Sequence, residues 1–158
     1  MRTMIISKLF VIAFLLASVS VIFASSLTPT DGKALSEIIK SVEDRNLGTI
    51  VEAELEDGYW EVKVKKPDST VQLYFDPKTG KEEGQRPSEP PIGIPPPDGK
   101  PLSSLIKKLE DARAGMIVEI EFDDGFWEVN AIRNGQMREL LVNPKTGEFT
   151  EAPHPDSD

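Results

Sequence analysis

Sliding the chain along itself by 67 positions brings Asp31-Gly32-Lys33 onto Asp98-Gly99-Lys100 and Gly48 onto Gly115. The same shift lays EDGYWEV (Glu56 to Val62) on DDGFWEV (Asp123 to Val129), and Asp76 to Gly80 on Asn143 to Gly147. Roughly half of the positions between Asp31 and Gly80 are identical to their counterparts, and no gap interrupts the match. A fixed period of this kind marks two copies of one fold unit. In a chain of 158 residues, each copy is close to the lower size limit, about 55 to 65 residues, at which a core supports itself.

Each unit begins with a helical pattern. Leu35, Ile38, Ile39 and Val42 recur at i, i+3, i+4 and i+7, as do Leu102, Leu105, Ile106 and Leu109, giving one apolar stripe per helix. Asp31 and Asp98 are the expected caps, Pro101 is compatible with a first turn, and Gly48 and Gly115 are the expected helix ends. Strands follow. Asp57-Gly58 and Asp124-Gly125 have the composition of two-residue hairpin loops, which fix a register. That register sets Leu55 against Trp60, Ala53 against Val62 and Val51 against Val64. In the second unit it sets Phe122 against Trp127, Ile120 against Val129 and Val118 against Ala131. Side chains alternate along a strand, so both tryptophans turn toward the helix, where each buries on the order of 150 to 250 Å². A third strand, Val71 to Phe75 or Arg138 to Val142, runs into a Pro-Lys-Thr-Gly turn suited to a type I turn plus a left-handed residue. A short closing strand is expected from Lys81 or Glu148. The expected fold class is α+β: two tandem repeats, each one helix on a small antiparallel sheet of three to four strands.

On the opposite sheet face the same register places Glu54 against Glu61 and Glu121 against Glu128, an arrangement that costs up to about 1 kcal/mol per pair. These pairs make either a solvated face, where water and salt screen the repulsion, or, because both units carry them, candidate docking groups for a cationic side chain or divalent ion, with Tyr59 beside the first. Acid–base catalysis by facing carboxylates needs a cleft that raises one pKa, so no catalytic residues are assigned. The second unit adds Ile117, Phe126, Ile132 and Leu141 to this face, an apolar patch expected either to be covered by the first unit or to meet a partner protein.

The flanks are of another kind. Residues 1–26 combine Arg2 and Lys8, an apolar run from Leu9 and a small-residue exit at Ala24 to Ser26, the pattern of a secretory signal peptide. Retention as a membrane anchor is the alternative, and no other membrane contact is expected. Residues 31–83 form repeat 1, 84–97 a proline-rich extended linker, 98–151 repeat 2, and 152–158 a disordered acidic tail. Without Arg2 and Lys8, 16 Lys plus Arg face 27 Asp plus Glu, a net charge of −11, which opposes nucleic-acid binding. With no cysteine and only His154 in the tail, neither thiol chemistry, a catalytic triad, a metal site nor a cofactor is expected.

The succession of helix, glutamate-bearing strand, Asp-Gly hairpin, GYWEVKV and Asp76 to Gly80, repeated as FWEV and NPKTG, resembles the PepSY domain over Leu35 to Glu83 and Leu102 to Glu151. That family occurs in propeptides of secreted metallopeptidases and in envelope proteins that restrain hydrolases. The resemblance implies a periplasmic or secreted, non-enzymatic module that binds another envelope or secreted protein, a peptidase among the candidates, with inhibition acting in trans. The alternative is a sensory module that holds a cation or basic peptide on its glutamate pairs.

Overall fold

A computed structural model describes residues 32–152. The expected signal segment, the Asp31 cap and the tail beyond Ala152 lie outside the described residues. Two helices, α1 (Leu35–Glu43) and α2 (Leu102–Asp111), accompany eight strands: β1 (Thr49–Glu56), β2 (Tyr59–Lys65), β3 (Thr70–Phe75), β4 (Glu82–Pro87), β5 (Met116–Asp123), β6 (Phe126–Arg133), β7 (Gln136–Val142) and β8 (Phe149–Glu151). All the strands join one antiparallel sheet in the order β4-β3-β2-β1-β5-β6-β7-β8.

The hairpin loops behave as their composition demands. Asp57 and Gly58 have φ of 49° and 85°, and Asp124 and Gly125 have 45° and 87°, so both centres are left-handed and the loop matches the twist of its strands. Leu55 pairs with Trp60 and Phe122 with Trp127. The tryptophans are 4% and 2% exposed and join one core with both helical stripes, Val62, Leu73, Phe75, Val129 and Leu140. Asn134-Gly135, with φ of 54° and 76°, makes a further loop of this type between β6 and β7. In the Pro-Lys-Thr-Gly turns, Asp76 Oδ1 accepts from the amides of Lys78 and Thr79, and Asn143 Oδ1 from those of Lys145 and Thr146. Gly80 and Gly147 then take φ of 69° and 70°.

Several expectations are corrected. The register shifts between Ile50 and Glu52 and between Ile117 and Glu119. Ile50, not Val51, therefore pairs with Val64, and Ile117, not Val118, pairs with Ala131. A bulge at this point lets two apolar residues three apart, Ile50 with Ala53 and Ile117 with Ile120, both reach the core. Ile117, 6% exposed, is consequently a core residue and leaves the outer patch. The helices stop at Glu43 and Asp111, before Gly48 and Gly115. These glycines instead open β1 and β5, where a Cβ at Gly48 would run into the Lys65 carbonyl oxygen and one at Gly115 would sit 2.9 Å from that of Ile132. The proline-rich stretch is structured at its start, since Glu82–Pro87 pairs with β3 as an edge strand, a place that tolerates a terminal proline.

Helix capping also differs from expectation. Ala34 and Pro101 occupy the N-cap positions without side-chain bonds, while Asp98 binds Lys145 Nζ at 2.7 Å. The caps come from the other helix. Glu110, near the end of α2, accepts from Ser36 N–H at 3.2 Å and Ser36 Oγ at 2.6 Å, and Glu43 of α1 accepts from Ser103 N–H at 3.1 Å and from its hydroxyl. Each helix thus satisfies first-turn donors that the other cannot pair internally. Ser36 maps on Ser103 and Glu43 on Glu110 under the 67-residue shift, so the two halves are related as by a two-fold rotation.

Candidate functional site

Since the helices and the core occupy one face of the sheet, its other face lies open. Two rows of facing residues cross this face. In one, Tyr74 of β3, Glu61 of β2, Glu54 of β1, Glu119 of β5, Asn130 of β6 and Glu139 of β7 stand opposite one another in turn. In the second, the succession is Arg86, Gln72, Lys63, Glu52, Glu121, Glu128, Leu141 and Thr150. The predicted pairs Glu54–Glu61 and Glu121–Glu128 are therefore present. They are also adjacent, because β1 pairs with β5 through Glu52 with Glu121 and Glu54 with Glu119. Sequence reasoning did not find Glu52 and Glu119 as members of a single group. The signal lay in alternation within VEAE and VEIE, and joining them required knowing that the copies meet edge to edge.

Counter-charges are few and already engaged. Lys63 forms an ion pair with Glu52; Asn130 Nδ2 donates to Glu119 at 2.7 Å. Glu61, only 8% exposed, accepts from Gln72 Nε2 and lies 3.7 Å from Arg86. The Arg86 guanidinium sits 5.2 Å from the Tyr74 ring centroid, and Tyr59 meets Tyr74 edge-on at 6.4 Å. The Tyr74 hydroxyl is buried and unpartnered among the described residues. Burial is the largest cause raising the Glu54, Glu61, Glu121 and Glu128 carboxyls above their usual range, with neighbouring carboxylates adding to it. At Glu61 the nearby Arg86 works in the opposite direction, and at Glu121 Lys63 does.

The apolar margin of the second half is also open. Phe126 and Met137 are 41% and 57% exposed, and Ile132 and Leu141 are half-buried. Ile132 pairs with Met137 on the face that carries Glu128. The first half joins through β1 and does not pair across this margin. Met137 was not anticipated, because its strand partner depends on the Asn134-Gly135 loop. Taken together, the face offers acidic hydrogen-bond acceptors beside an apolar strip. Among the described residues no group of three or more His, Asp or Glu is placed to hold a metal ion, and no helix is long and apolar enough to cross a membrane.

Comparison with known proteins agrees with the sequence pattern. A PepSY profile, described as peptidase propeptide and YPEB domain, matches residues 30–86, and a second profile of the same description matches residues 92–152. No curated protein matches the chain. Among solved structures, a crystal structure of a candidate lipoprotein from Clostridium difficile 630 is similar at 11% identity and a TM-score of 0.44, covering 73% of this chain and 90% of its own. Two adjoining matches account for nearly the whole described structure, and the chain belongs to the PepSY family as a tandem PepSY-domain protein.

Proposed function

We propose that this protein is a non-enzymatic extracellular or envelope module that binds another exported protein through the open sheet face. The partner segment it takes is cationic with an apolar side. The observation that carries this reading is the pair of glutamate rows, Glu61-Glu54-Glu119 and Glu52-Glu121-Glu128, running into the margin formed by Phe126, Met137 and Leu141. Such a surface steers and orients a basic partner electrostatically, while burial of the apolar strip slows dissociation. The family's description as a peptidase propeptide supports the narrower version, in which the partner is a peptidase restrained by the bound module.

Capture from an envelope extract tests the surface. Wild type, Phe126→Glu with Leu141→Lys, and Glu54→Lys with Glu121→Lys are compared at about 50 and 500 mM salt, where screening lengths differ several-fold. A retained protein lost in both variants and weakened by salt supports the face as the site; equal capture by all three removes it. Assay of the captured partner, or of a secreted metallopeptidase, with and without the chain decides the inhibitory version.

A further inference from the structure

We propose that the β1–β5 junction is a proton-dependent seam, tight when the glutamates facing across it carry fewer charges and loosened as they ionise. The junction is short. Only Glu52 with Glu121, Ala53 with Ile120 and Glu54 with Glu119 pair across it, whereas the neighbouring β1–β2 and β5–β6 ladders run the length of their strands. Of its three residue pairs, both that present side chains to the open face oppose carboxylate to carboxylate. The third, Ala53 with Ile120, is fully buried beneath the helices.

Every strand that touches the seam adds to this charge balance. Glu54 is faced by Glu61 from β2 and Glu119 from β5, with Glu52 and Glu56 on its own strand; Glu121 is faced by Glu52 from β1, Glu128 from β6 and Lys63 from β2, with Glu119 and Asp123 on its own strand. Lys63 is the one cation among these groups, and it is held by Glu52. Asn130 relieves Glu119 only as a neutral donor. Repulsion in facing cross-strand pairs opposes pairing, and burial together with the neighbouring carboxylates raises the Glu54 and Glu121 carboxyls, so the repulsion is relieved as pH falls toward their folded-state values.

When the seam frays, the halves stay connected through the helix layer, because the Ser36–Glu110 and Ser103–Glu43 contacts join helix to helix and not β1 to β5. The device is therefore a hinge with its pivot at the helices and its gap on the open face. Both glutamate rows cross that gap, so opening divides the surface they form.

Amide hydrogen exchange of the full chain by NMR, with intrinsic chemical rates divided out, reads the seam directly. Junction-facing amides among residues 52–54 and 119–121 are expected to lose protection by a factor of roughly 2 to 30 between pH 5 and pH 8, the range that two facing like-charge pairs produce. Val62 and Leu73, inside the first half, should change less than about twofold over the same interval. Glu54→Gln with Glu121→Gln should flatten the junction response; in wild type, about 1 M salt should shrink it without any substitution. Junction protection that is independent of pH, an equal loss at Val62 and Leu73, or a response that survives in both the Gln variant and high salt would overturn the proposal.

Discussion

Removal of Glu110 tests the claim that each helix begins on a cap supplied by the other. In Glu110→Ala the Ser36 N–H and hydroxyl, bonded at 3.2 and 2.6 Å, lose their acceptor, and Ser36 is only 7% exposed. Loss of an N-terminal cap costs about 1 kcal/mol, and stranding a buried hydroxyl that had bonded a carboxylate costs about 1 to 3 more. Alanine is the better helix former by a few tenths of a kcal/mol, which offsets part of this. The expected net loss is about 2 to 3 kcal/mol, or roughly 6 to 12 °C in Tm for a folded region of this size. Urea unfolding gives the free energy. Ser36→Ala alone should cost less than Glu110→Ala, and the double variant little more than Glu110→Ala, giving a coupling of about 1 kcal/mol. Glu43→Ala with Ser103→Ala should reproduce the pattern, because the symmetry-related bonds are the same in kind. A Glu110→Ala loss below about 0.5 kcal/mol, the range of ordinary surface substitutions, or simple additivity of the two single changes, would refute the reciprocal cap.

Other outcomes follow from particular positions. Asp76→Asn should leave the urea midpoint at pH 7 close to that of wild type, because Asn143 already makes the same turn. Bonds from the Thr79 amide and hydroxyl lower the Asp76 carboxyl, so its contribution is lost as pH falls through the folded-state value, and urea titrations below pH 4 should show that loss disappear in the Asn variant. Gly48→Ala should destabilise by about 2 kcal/mol or more, since its Cβ meets backbone at Lys65 and its φ of 156° suits glycine. Trp127→Ala should cost about 3 to 5 kcal/mol, whereas Phe126→Glu one residue away should cost well under 1, a contrast that chemical denaturation resolves. Glu54, Glu61, Glu121 and Glu128 are all raised in the folded state, so the native state holds more protons than the unfolded one between the two sets of values. Stability then falls as pH rises through that window, and Tm should be higher near pH 5 than near pH 8.

The inward tryptophans and the facing glutamates were legible because Asp-Gly dictates local geometry, and geometry two residues from a tight turn propagates faithfully along a ladder. That legibility ended at Val51 and Val118, where strict alternation gave way to a bulge. The clue was the adjacent apolar residues Ile50-Val51 and Ile117-Val118, which a period of two cannot accommodate on one side. The closing strand expected from Lys81 is present as Glu82–Pro87, but its continuation from Gly84 to Pro87 was obscured because its glycine and proline content reads as linker, while its pairing with β3 covers an otherwise open edge. The Glu43 and Glu110 caps act between residues 60 and 74 positions apart, so no local rule could reveal them. Asp98 satisfied the composition of a cap yet was drawn off by Lys145. Placement of the four seam glutamates likewise required the edge-to-edge meeting of the two copies, a choice made by packing of the helix layer and not by either strand alone.

The reciprocal serine–glutamate bonds and the antiparallel pairing of β1 with β5 have the form of an isologous interface, in which one patch is complementary to a second example of itself. Two separate polypeptides meeting this way would associate only at sufficient concentration. Carrying both examples on one backbone, joined by the short run from Ser88 to Pro101, turns that encounter into an intramolecular event with an effective concentration on the order of millimolar. Assembly of the eight-stranded sheet is thereby insulated from dilution.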